Sequence, residues 1–371
     1  MEVYFRSPPL SSFRRHAILI AAALCLGAAA CATDPTEDPG TPPDGVARPV
    51  LSISANPRPI PAPQVADFIA GLDSSIAVGA KGIVQTWTWS SLEPDSARLN
   101  VQQLISDIRY SRSRGLQVFL GIQLINTVRR EVPTDLATVA WTDARMQLRF
   151  ERLLDALAPI LNDITYFSIG NEVAGYLGAR SEWVPYTTFL TAEVASLHRR
   201  VPAIRVGATL EYDAAASQTA FTRALIAVSD VAIFTHYPFQ LNSFTVEQPT
   251  ITRSTFDNMI ALAGGKPVVL QELGYPASPT NGSSEAQQAA FFTDAITQWR
   301  ARGSTAMPFV NLFLLHDFTQ QQCNDLGSYY GLPNQTSFIS FLCTIGLRKA
   351  DGSARPSWTA VRDASAWLRV P

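Results

Sequence analysis

At 371 residues, 47% hydrophobic and only 16% charged, the chain can bury a large core and has a globular rather than a disordered composition. A formal net charge of -2, with 29 basic residues scattered rather than massed, leaves no electrostatic footprint for nucleic acid. No DNA or RNA partner is expected.

At the N-terminus, Arg6, Arg14 and Arg15 precede the apolar run AILIAAALCLGAAA, which is too short for a spanning helix and ends in small residues before Cys31. Residues 1–30 therefore read as a secretory signal. The string LGAAAC resembles the lipobox of bacterial lipoproteins, with Ala28 where a leucine is more usual. That resemblance implies lipidation of Cys31 and attachment to a membrane, plain secretion being the other reading. Either way the expected location is the bacterial cell envelope or beyond it. Residues 31–49, CATDPTEDPGTPPDGVARP, are too polar and Pro-rich to bury a core and read as a linker, so the folded domain is expected over 50–371.

From Val50 onward, short runs rich in Val, Ile and Phe alternate with stretches of helical period. VLSISA is followed by VADFIAGLDSSIAVGA, GIVQTWTW by NVQQLISDIRYSRSRG, LQVFLGIQLI by MQLRFERLLDALAPIL, and ITYFSIGNEV by YTTFLTAEVASLHRR. RVGATLEY then precedes TAFTRALIAVS, DVAIFTHYPF precedes STFDNMIALAGG, PVVLQELGYP precedes AQQAAFFTDAITQWRARG, and AMPFVNLFLLHDF leads to the closing PSWTAVRDASAWL. Eight βα units in about 320 residues predict an α/β fold, a (β/α)8 TIM barrel. Continuous apolar strands between amphipathic helices are expected to be parallel and covered on the outside.

In such a barrel the functional face is built at the C-terminal ends of the strands, which gives the strand-end polar residues an address. Asn171 and Glu172 close the fourth strand, Glu211 and Tyr212 the fifth, His236 and Tyr237 the sixth, and Glu272 the seventh. Two carboxylates at a barrel mouth suit glycosidic bond cleavage, in which one protonates the leaving oxygen and the other attacks or shields the anomeric carbon.

With IGNEV, THYPF and ELGYP on these strands, the chain resembles the clan A glycoside hydrolases, and its texture is similar to the endo-galactanase and cellulase families. The resemblance implies a retaining, endo-acting hydrolase of β-linked poly- or oligosaccharides. It implies Glu172 as general acid/base, Glu272 as nucleophile, Asn171 as donor to the substrate 2-hydroxyl, and Tyr237, with His236 in the same network, beside the nucleophile. Departures occur at the third strand, which ends in IQLINTVRR without the usual histidine, and at the eighth, where LLHDF with His316 stands in place of a tryptophan. Trp87 and Trp89 in TWTW are candidate stacking platforms for a sugar, although one of the two could be core. Arg129 and Arg130 are read as a solvated loop with an acidic-sugar site as the sharper alternative, and Glu93 and Glu211 as spare strand-end acids.

No phosphate loop, dinucleotide fingerprint or GxSxG elbow is present, and no His or Cys cluster has metal-ligand spacing, so neither cofactor nor metal is expected. Export makes a disulfide between Cys323 and Cys343 the expected state, with two buried thiols as the alternative, and the loop they bound is too long and aromatic for a bare connector. A monomer is expected. The competing functions are a catalytically inactive glycan-binding barrel and a lipid-anchored solute-binding protein, which would need two lobes and a hinge.

Overall fold

The computed structural model describes residues 48–369, so the segment read as a signal, Cys31 and nearly all of the stretch read as a linker lie outside the described residues. Eight parallel strands form the ring: β1 Val50–Ile53, β2 Gly82–Thr88, β3 Gln117–Asn126, β4 Ile164–Asn171, β5 in two pieces, Arg205–Gly207 and Thr209–Glu211, β6 Ala232–His236, β7 Val268–Leu273 and β8 Phe309–Leu312. Each pairs with its successor, the first piece of β5 with β4 and the second with β6, and β8 pairs with β1 through Val50 and Phe309. The ring thus closes through β5. A two-residue antiparallel spur, Arg129–Arg130, folds back on the end of β3.

Eight helices cover the ring: α1 Val65–Ala77, α2 Gln102–Ser113, α3 Ala144–Leu157, α4 Trp183–Arg200, α5 Thr219–Ala227, α6 Thr252–Ala263, α7 Glu285–Ala306, broken at Gly303, and α8 Pro356–Ala364. Their apolar positions recur at helical spacing and face inward, as Met146, Phe150, Leu153, Leu154 and Leu157 do on α3. Alternation along the strands sends one set of side chains into this outer core and the other into the lumen.

The lumen is layered. Its N-terminal end is filled by Val50, Phe119, Tyr166, Val231, Ile233, Val269 and Phe309, with the rings of Tyr166 and Phe309 5.4 Å apart. One layer higher the inward residues turn polar: Ser52 donates to Asn311 Oδ1 at 2.8 Å, and Thr209 donates to Gln271 Oε1 at 2.5 Å. An apolar plug under a polar layer confines aqueous chemistry to the C-terminal mouth.

Between β8 and α8 the chain inserts two helices, Gln320–Tyr329 and Thr336–Cys343, joined by the expected disulfide between Cys323 and Cys343. The insertion packs Phe338, Phe341 and Leu342 against Leu314 and the aromatic loop after β6.

Two outcomes follow from these contacts. The disulfide closes a loop of 20 residues and is worth about 3 kcal/mol through the entropy of the unfolded chain. Changing both cysteines to serine should therefore leave the barrel folded but speed proteolytic cleavage between residues 320 and 343; unchanged cleavage rates would show that the bond does not restrain the insertion.

Glu193 on α4 is fully buried with no hydrogen-bond partner at either oxygen, and burial, reinforced by Glu151, pushes its carboxyl up to about 8. The native state then holds a proton that the unfolded chain releases near 4.5, so the wild type loses stability as pH rises through that window. Glu193→Gln should be more stable than wild type by a margin that grows between about pH 5 and pH 8, read from denaturant midpoints; a pH-independent margin would contradict it.

Candidate active site

The fourth strand delivers its acid through a strained corner. Gly170 has φ +89°, and a Cβ there would come within 2.6 Å of the Tyr186 hydroxyl, which itself donates to the Ile169 carbonyl at 2.6 Å. Glu172 follows in the left-handed region (φ 49°, ψ 43°), a conformation costly for a residue with a Cβ, at the start of the short helix Val173–Gly178. The corner turns the Glu172 carboxyl back over the mouth. There Thr127 donates to Oε2 at 2.6 Å and Thr235 to Oε1 at 2.7 Å.

The seventh strand uses a β-bulge. Thr235 and Phe234 of β6 are consecutive, yet they register with Glu272 and Leu270, and on the other side Asn311 alone stands between the partners of Leu270 and Leu273. An extra residue in β7 lets both Gln271 and Glu272 address the lumen, which strict alternation forbids. Gln271 donates to Asn171 Oδ1 at 2.6 Å and lies 3.4 Å from Glu272 Oε1, while Tyr237 donates its hydroxyl to Glu272 Oε2. Gly274 permits this approach, since a Cβ there would come within 2.7 Å of the Tyr237 ring.

The two carboxyls are electrostatically one unit. Burial pushes the Glu272 carboxyl up to about 7 and the charge on Glu172 adds to the rise, with Tyr237 and Gln271 pulling it back. Burial also raises Glu172, against the donations from Thr127 and Thr235. Two like charges this close cannot both form cheaply, so the pair holds one proton near neutral pH. Tyr237, itself raised well above the phenol range by burial and by Glu272, keeps its proton and donates a hydrogen bond to Glu272. That favours Glu272 as the anion. Threonine hydroxyls can donate or accept, and so they tolerate Glu172 in either protonation state.

Asn171 joins the pair from β4. Its Nδ2 donates to Asn126 Oδ1 at 3.0 Å, and Asn126 Nδ2 donates to the Tyr329 hydroxyl at 2.6 Å. Phe313 lies one residue beyond β8, its ring 6.1 Å from that of Tyr237.

Several expected site residues lie elsewhere. Trp87 shares the outward face of β2 with Gln85, whose Nε2 donates to Ser111 on α2, and Trp89 is fully buried, hydrogen-bonded to Glu93 and edge-on to Phe150. Both tryptophans serve the outer core and not a sugar platform. His236 is also turned away: with Phe234 it occupies the face of β6 opposite Thr235, packs edge-on against Tyr212 at 5.4 Å, and burial pushes its imidazole down to about 3. His316 clasps the segment after β1, its Nδ1 2.8 Å from the Asn56 carbonyl oxygen.

The spare charges are structural too. Glu93 is buried against Arg149 at 2.8 Å, and Glu211 caps the helix after β5, accepting from the backbone N–H groups of Asp213 and Ala214. Arg130 lies over Trp141 at 4.0 Å, whereas Arg129 binds Glu131 and covers the Tyr329 ring at 4.6 Å. Sequence reasoning missed Thr127, Thr235, Gln271, Asn126 and Phe313. For Thr235 the signal was present, because it stands two residues before Tyr237 and shares its face. Among the described residues no cluster of His, Cys, Asp and Glu could hold a metal ion.

No family model and no curated protein matches the chain. Solved structures do. A GH5_18 protein from Streptomyces cattleya, in complex with Manβ1-4GlcNAc, is 18% identical over 87% of this chain and 82% of its own, with TM-score 0.67. The exo-β-1,4-mannosidase Op5Man5 from Opitutaceae bacterium strain TAV5 is 15% identical over 87% of this chain and 60% of its own, with TM-score 0.64. Xylanase 10B from Thermotoga maritima is 10% identical over 86% of this chain and 95% of its own, with TM-score 0.60. At these identities the likeness is one of fold, a (β/α)8 barrel of the kind these glycoside hydrolases share.

If Tyr237 is what holds Glu272 ionised, Tyr237→Phe should raise the Glu272 pKa by about 1 unit or more. Titration of the pair by carboxyl-labelled NMR reads this directly; an unmoved titration would remove Tyr237 from that role.

Proposed function

We propose that the protein is a retaining β-glycoside hydrolase of clan A type that cleaves O-glycosidic bonds of oligo- or polysaccharides. The observation that carries this reading is the pair of buried carboxyls on β4 and β7, one beside two threonine hydroxyls and one beside a phenol that donates to it. The resemblance of IGNEV and ELGYP to the clan motifs and the likeness of fold to glycoside hydrolases point the same way.

In this mechanism the Glu272 carboxylate attacks the anomeric carbon while Glu172 gives its proton to the departing glycosidic oxygen. A glycosyl ester forms and the aglycone leaves as an alcohol. Glu172, now ionised, takes a proton from water, which attacks the same carbon; the ester breaks, Glu272 is released as carboxylate, and the sugar departs with its configuration retained. The reading requires the two carboxyls to stand about 5 Å apart. Asn171, oriented by Gln271, would present an N–H to the sugar 2-hydroxyl, where a hydrogen bond strengthens in the transition state.

We further infer that the protein is exported and held in the bacterial envelope through lipid on Cys31, a reading that rests on the N-terminal sequence alone. The described residues form one barrel and not the two hinged lobes of a solute-binding protein, so a glycan-binding barrel without activity is the alternative.

The test uses activated aryl β-glycosides. Glu272→Ala should lose several kcal/mol of transition-state stabilisation, and azide should restore turnover as the α-glycosyl azide by attack from the vacated side. Glu172→Ala should keep the first step and accumulate the glycosyl-enzyme, with azide giving the β-glycosyl azide. Wild-type rates in both variants would end the assignment.

A further inference from the structure

The insertion after β8 does more than pad the rim. In a ring of eight, β3 and β7 stand opposite each other, and the insertion is fastened to both sides. On one flank Ser340 donates to Ser278 at 2.7 Å in the segment after β7, Asn281 donates to the Ser337 carbonyl at 2.9 Å, and Phe341 packs edge-on against Tyr237 and Phe239, 5.1 and 5.0 Å away. On the other flank the tip of its first helix reaches the end of β3. There Tyr329 accepts from Asn126 and lies under Arg129, and Tyr330 shares a hydrogen bond with Thr127, the donor to Glu172. Glu131, 3.4 Å from the Tyr329 hydroxyl, also accepts from Ser90, just past β2 at 2.9 Å. The span therefore crosses the mouth between the ends of β7 and β3.

Beneath that span one lumen residue of β2 is open to solvent. Thr86 points inward, opposite Gly121 in register, and is exposed although it lies one layer below the mouth. No comparable insertion follows β4, β5 or β6, where the connections to the outer helices are shorter.

We propose that this insertion closes one end of the cleft, making a dead-end pocket for a single terminal sugar, with Tyr329 and Tyr330 as the specificity-determining residues. The inference rests on the hydrolase reading above and refines it: the substrate class is the chain end of short β-linked oligosaccharides, in place of the endo-action expected from the sequence. The walled end adjoins the nucleophile Glu272 and its donor Tyr237, so the glycosyl unit sits there. The leaving chain departs past Glu172 over the open β4 to β6 side. Cleavage then removes the non-reducing terminal unit.

The experiment uses the whole protein and β-linked gluco-, manno-, galacto- and xylo-oligosaccharides of two to six units, each carrying a fluorophore at the reducing end, with the matching soluble polymers. The expected products are labelled chains shortened one unit at a time, with polymer viscosity unchanged early in the reaction. Early labelled fragments of middle length, with falling viscosity, would overturn the proposal. Calorimetry on Glu272→Ala gives a second reading that does not need turnover. A pocket binds the hexasaccharide within about threefold of the disaccharide, whereas a through-groove gains about tenfold or more over the same series. Absence of hydrolysis across the panel with chain-length-independent binding would discard the hydrolase reading and keep the pocket; hydrolysis with steadily rising affinity would do the reverse.

Discussion

Everything at the mouth of this barrel answers to one constraint: two carboxyls must be buried together without both being charged. Desolvation alone raises each, and the charge of either raises the other. A single shared proton resolves the conflict, and what remains is to decide which oxygen carries it. The surroundings decide by chemistry and not by distance. A phenol, the stronger donor and weaker acceptor, faces Glu272, while alcohols that donate and accept with similar ease face Glu172.

Meeting that constraint requires irregular backbone at both acids. A regular β7 could not turn Gln271 and Glu272 toward the same space, and the bulge there supplies an amide for Asn171 alongside the carboxylate. At β4 the irregularity is the left-handed Glu172, tolerable because Gly170 and the short helix Val173–Gly178 fix the corner from both sides. Local departures from ideal geometry coincide with the chemistry, while the lower lumen and the outer core follow the ordinary rules of alternation and helical period.

The same division explains what could be read in advance. Period and apolar runs announced eight strands, eight covering helices and a functional end, and the motif strings IGNEV and ELGYP pointed to Glu172 and Glu272, which the structure brings together. Parity decided the rest, and it was legible only where register was known. His236 faces the helices because Tyr237 faces the mouth, and Trp87 faces them because Gln85 does. Gln271 could not be anticipated, since a bulge leaves no mark on hydrophobic patterning. Phe313 was obscured by length: β8 stops at Leu312, so LLHDF belongs to the crossing that follows, and His316 serves Asn56. The Tyr329 and Tyr330 contacts with β3 bridge about 200 residues, beyond the reach of any local pattern.

Ring closure between β1 and β8 has a consequence for how the chain acquires its structure. Val50 pairs with Phe309, so the first strand waits for the last before its second edge is covered. Until then the growing chain is an open parallel sheet with two bare edges and a half-formed lumen, a species of high contact order prone to pair with its neighbours. Ser52 and Asn311 meet across the same seam, and the polar layer that supports Gln271 is completed only when the seam forms. Folding intermediates short of β8 would therefore be assembled in outline, with the polar layer beneath the paired carboxyls completed in the final docking event.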